Sequence, residues 1–66
     1  MKYVGINQHG QVIGYFTHPR KELKELLPGR IHKMYVDQDG KSYHVGYVVG
    51  HEWITIYKPH QKRVNF

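Results

Sequence analysis

Arg30–Lys58 reads RIHKMYV-DQDG-KSYHVGYVV-GH-EWITIYK. Apolar and aromatic residues alternate with polar ones along it, the period of two that marks half-buried strands. Each break falls on residues that favour turns, Asp37-Gln38-Asp39-Gly40 and then Gly50-His51. The stretch is expected to form a three-stranded antiparallel meander. The rest of the chain must then cover one of its faces or extend an edge.

Upstream, Lys2–Asn7 (KYVGIN) and Gln11–Phe16 (QVIGYF) have the β-branched and aromatic content of two short strands, joined by Asn7-Gln8-His9-Gly10. This turn and Asp37–Gly40 share a pattern, an Asn or Asp followed three residues later by Gly. Gly10 and Gly40 are expected at positive φ, where a Cβ would clash. Between the hairpins, Pro19–Leu27 (PRKELKELL) is the helix candidate, with Thr17 or His18 as its cap and Pro28-Gly29 ending it. Leu23, Leu26 and Leu27 fall at i, i+3 and i+4 and form a narrow apolar stripe. So short a helix is not stable alone in water and must dock that stripe on the sheet.

The fold expected is α+β, in the order β-β-α-β-β-β: a small curved antiparallel sheet with one short helix. Gly5, Gly14 and Gly46 inside strands favour strong curvature, and a small barrel of the SH3 or oligonucleotide-binding type is its most closed form. A single domain is expected over 1–66, divided into a hairpin (1–16), a short helix (18–28), a meander (30–58) and a basic tail (59–66). A chain of this length buries only about 60% of the surface its unfolded form exposes.

A two-residue Gly50-His51 loop fixes a register: Val49 faces Glu52, Val48 faces Trp53, Tyr47 faces Ile54, Val45 faces Ile56 and His44 faces Tyr57. One face then carries Tyr43, Val45, Tyr47, Val49, Ile54 and Ile56, a core face on which the helix leucines belong. The other carries His44, Gly46, Val48, Trp53, Thr55 and Tyr57. At Asp37–Lys41, a type I turn with Gly40 in a bulge puts His32, Met34 and Val36 on the Trp53 face. A two-residue Asp39-Gly40 loop sends Ile31, Lys33 and Tyr35 there instead, because a slip of one residue flips a strand. The shared turn pattern favours the bulge.

The chain has ten Lys and Arg against five Asp and Glu, a net charge of +5, which suits a polyanionic partner. The face with His44, Trp53 and Tyr57 offers rings, and Lys33, Lys58, Lys62 and Arg63 offer cations at its margins. Single-stranded nucleic acid is bound in this manner, with bases stacked on rings and phosphates followed by cations. The function expected is therefore non-catalytic nucleic-acid binding through these seven residues. The alternative is a protein-binding inhibitor or adaptor that acts on an acidic partner surface, since Tyr, Trp and Arg are also enriched at protein interfaces. A homodimer is compatible with either. If a barrel closes, or the first hairpin covers this face, Trp53 and Tyr57 are ordinary core.

Catalytic and metal signatures are sparse. The absence of cysteine excludes disulfides and Cys-ligated metal sites, and fits a reducing compartment. The six histidines (9, 18, 32, 44, 51 and 60) show no metal-ligand spacing, the only serine adjoins a turn, and no carboxylate pair suggests acid–base work. No cofactor or metal is expected. His51–Lys58 (HEWITIYK) resembles the closing strands of the small RelE-type toxin ribonucleases, although the helical N-terminal half of that family has no counterpart here. That resemblance implies metal-free phosphodiester cleavage as a minor alternative. The opening MKYVGINQHG has one Lys and no apolar run like that of a signal peptide, and no membrane span is present. A soluble cytoplasmic protein is expected.

Overall fold

A computed structural model describes residues 2–58. The elements are β1 (Tyr3–Ile6), β2 (Val12–Phe16), α1 (Pro19–Leu26), β3 (Ile31–Gln38), β4 (Lys41–Val49) and β5 (Glu52–Tyr57). All five strands join one antiparallel sheet in the order β2-β1-β5-β4-β3. The expected α+β class and element order are found. The barrel is not: among the described residues, β2 and β3 are the edges at opposite ends of an open sheet. The chain leaves β2 at one edge and enters β3 at the other, and α1 makes the crossing over a single face. One face is thereby covered by the helix, and no other described element crosses the second, here called the open face.

The core lies under the helix, where Leu23 packs among Phe16, Val49 and Ile54. Ile13, Leu27, Ile31, Tyr47 and Ile56 surround this cluster. The expected leucine stripe is only partly used. Leu23 is fully buried and Leu27 packs on the core, but Leu26 is 55% exposed. A short helix lying across a sheet makes contact along a narrow line, and Leu26 has rotated off it. The helix begins after His18, whose backbone N–H donates to the Glu22 carboxylate (2.6 Å). No described helix is long and apolar enough to cross a membrane.

The two similar turns have different geometries. At the first, the Gly10 N–H donates to the Asn7 carbonyl (3.0 Å) and the Asn7 N–H to the Gln11 carbonyl (2.9 Å), with Gly10 at φ 78°. The Asn7 side chain, 7% exposed, accepts from the N–H groups of His9 (3.0 Å) and Gln11 (2.9 Å). At the second, Gln38 pairs with Lys41 across Asp39 (φ 53°) and Gly40 (φ 76°), a two-residue loop of type I′. This corrects the favoured Gly40-bulge turn. Asp-Gly is a dipeptide that type I′ prefers, and Asp tolerates positive φ.

The Gly50-His51 loop gives the expected pairs Val49↔Glu52, Val48↔Trp53 and Tyr47↔Ile54. Beyond Gly46↔Thr55 the expected register fails. Met34 pairs with Gly46 but Tyr35 pairs with His44, so Val45 is an extra residue in β4. A bulge of this kind reverses the faces of the residues beyond it. Tyr43 and Val45 therefore leave the expected core face for the open one, and His44 moves the other way. The same bulge returns His32, Met34 and Val36 to the Trp53 face, even though the turn is not the one that was to place them there. Gly46 sits against β5 so closely that a Cβ would collide with the Ile54 carbonyl oxygen.

Candidate functional site

The open face of the sheet carries a groove of about 630 Å³. Met34, Tyr35 and Val36 of β3, Val45 and Val48 of β4, and Trp53 and Thr55 of β5 line it, together with Gln8. Of these seven strand residues three are valines and one is a methionine, and none carries a charge. Trp53 is 58% exposed, so its ring is available at the surface rather than packed away. Tyr43, paired with Val36 on the same face, is 46% exposed.

Gln8 holds the Trp53 end of the groove. β1 stops pairing with β5 at Ile6↔Thr55, which leaves the first residues of β5 without a backbone neighbour on that side. The Gln8 side-chain amide takes the place of the missing peptide: its Oε1 accepts from the Trp53 N–H (2.9 Å) and its Nε2 donates to the His51 carbonyl (2.9 Å). Asn7 adds a longer contact from its Nδ2 to Glu52 Oε2 (3.4 Å). The first hairpin turn is thus tied to the start of β5. Both Gln8 bonds are solvent-exposed, and each has a modest net value, about 1 kcal/mol.

The expected site residues are not all brought together. Trp53 lies on the groove. Tyr57 is on the same face by strand alternation but is 7% exposed and offers little surface to a ligand. His44 lies on the opposite, helix-bearing face. Its ring centroid is 5.4 Å from that of Tyr35 and 5.0 Å from that of Tyr47, and its Nε2 donates to the Gly46 carbonyl (2.8 Å). Because that carbonyl can only accept, the bond fixes a proton on Nε2. The expected union of His44, Trp53 and Tyr57 on one face is thus corrected, and the Val45 bulge is the reason.

Lys33 pairs with Tyr47 and also belongs to the helix-bearing face. Lys58 follows β5 as an exposed residue. Lys62 and Arg63 lie outside the described residues. Among the described cations, Arg20, Lys21 and Lys24 are on the helix, and Lys41, opposite Gln38, is the strand lysine on the open face. No group of three or more His, Asp or Glu side chains among the described residues is arranged to hold a metal ion. Of the groove's apolar wall, Met34, Val36 and Val48 are on the Trp53 face as expected, and Val45 was missed because it reads as core in an unbroken alternation. Gln8 carries no sequence signal beyond its place in a turn. No protein-family model, curated protein or solved structure matches this chain.

Proposed function

We propose that the protein is a non-catalytic binding module for another protein, and that the Trp53 groove is its working surface. The observation that carries this reading is the chemistry of the lining: an exposed Trp beside Met34, Val36, Val45 and Val48, with no charged residue in the wall. Interface cores are depleted in charge and enriched in aromatic residues and Met, with polar groups at the rim. Gln8, Thr55 and His32 supply such a rim here, His32 being placed on the open face by its pairing with Val48. The occupant that fits is an apolar side chain presented by a partner whose surrounding surface is acidic, because the chain carries +5. The positive field steers such a partner and the groove anchors it.

The second reading, single-stranded nucleic acid, rests on the exposed Trp53 ring together with the net charge. Its weakness is that no described Lys or Arg lines the groove, because stacking and phosphate contact must occur along one path.

Selection of displayed random peptides against the folded protein distinguishes the two. Peptides with an apolar anchor and acidic flanks are expected to enrich, and Trp53→Ala is expected to weaken them by about 2 kcal/mol, roughly thirtyfold, the loss typical of a central aromatic anchor. A labelled oligonucleotide is titrated in parallel at low salt. Binding that falls with salt at a slope of about −0.7 per phosphate contact, and that also requires Trp53, favours the nucleic-acid reading instead. Enriched peptides that bind Trp53→Ala equally well remove the groove from the account.

A further inference from the structure

The β3 edge of the sheet, which no other described strand pairs, is self-complementary, and we propose that it pairs with the same edge of a second copy, antiparallel about a two-fold axis at Tyr35. This inference rests on the strand edge and is independent of what the groove binds. β3 runs eight residues as Ile31-His32-Lys33-Met34-Tyr35-Val36-Asp37-Gln38, and β4 occupies only one of its sides. It has no proline and no extra residue of its own, since the adjoining bulge belongs to β4. Unpaired N–H and C=O groups along such an edge are a template for another strand. The other edge, β2, is shorter and interrupted at Ile13 by its own bulge.

The register follows from the charges. With Tyr35 opposite Tyr35 of the second copy, Lys33 meets Asp37 of that copy, and Asp37 meets its Lys33. Lys33 and Asp37 lie on the same face of β3, so both pairs form on the helix-bearing side. On the open side, Met34 meets Val36 and Val36 meets Met34, and His32 faces Gln38. Registers centred on Lys33 or on Asp37 put like charges together, which is unfavourable for directly opposed residues. Lys33 and Asp37 are both exposed, and neither has an ion-pair partner among the described residues. Tyr35 is 53% exposed. The apolar groove reaches β3 through Met34 and Val36, so pairing at this register joins the grooves of the two copies across the axis.

The pairs are also needed, because each chain brings +5 and general repulsion opposes association. Sedimentation equilibrium over a concentration series tests the proposal, with circular dichroism confirming that each variant is folded. The wild-type chain is expected to form a concentration-dependent dimer. Lys33→Glu and Asp37→Lys, taken singly, each place like charges in both pairs and are expected to raise the dissociation constant about tenfold (~1.4 kcal/mol). The double variant Lys33→Glu/Asp37→Lys exchanges the charges and is expected to restore the wild-type value. A chain monomeric at every concentration overturns the proposal, as does a dimer indifferent to the single changes. Singles that weaken the dimer without rescue by the double variant overturn the register. Were the two charges there only to keep the edge soluble, no rescue would occur.

Discussion

Gly46→Ala is expected to cost about 3 kcal/mol or more, a large share of the stability of this protein. The added Cβ would meet the Ile54 carbonyl oxygen well inside contact distance and lie 2.9 Å from both the Ile54 carbonyl carbon and the Thr55 Cα. All three are backbone atoms of the neighbouring strand, so no side-chain rotation relieves the overlap. Relief requires β4 and β5 to move apart at Gly46↔Thr55, where the bulge already ends their pairing. Overpacking in a core usually costs about 1–3 kcal/mol, and a backbone collision belongs at or above the top of that range. A domain of this length has roughly 3–10 kcal/mol in total. In a urea titration followed by circular dichroism, the variant is expected to have a midpoint far below that of the wild type. A midpoint near wild type would mean that β4 passes β5 with room to spare.

Leu23→Ala is the second large effect, expected at about 3 kcal/mol, within the range for emptying a fully buried leucine site. Leu23 is the buried residue of α1 and reaches Phe16, Val49 and Ile54. A helix of eight residues has little stability of its own, so its anchoring side chain decides whether it forms. The helical part of the far-UV signal is expected to fall together with the thermal midpoint. Leu26→Ala is the control, expected within about 0.5 kcal/mol of wild type because that side chain is largely exposed. Equal losses from the two changes would show that the helix docks through both leucines, as the bare spacing suggests.

That pair of leucines illustrates how far the sequence could be read. Local chemistry was legible: Gly10 and Gly40 are at positive φ, the Gly50-His51 loop has two residues, and the helix starts at Pro19. These features depend on a few neighbouring residues and their allowed dihedrals. The candidate site was less legible because it depends on which face each side chain takes, and a single inserted residue reverses that choice. Val45 is a bulge because β3 holds β4 in one register over Gly46–Val49 and in a register shifted by one residue over Lys41–His44, which is a property of two paired strands and not of either alone. His44 was accordingly placed with Trp53, and Val45 with the core. The open sheet has a similar cause. Strand glycines suggested closure, but Gly46 is used for close approach to β5, and the crossing of α1 sets the two edges far apart in strand order.

The division of the sheet into a helix-bearing face with His44 and an open face with Trp53 underlies both proposals, and nuclear Overhauser contacts of the two rings in solution test it most directly. The account predicts contacts from the His44 ring to the Tyr35 and Tyr47 rings, and from the Trp53 indole to the Val48 methyls and the groove. A contact between the His44 and Trp53 rings, with His44 silent toward Tyr47, would contradict it.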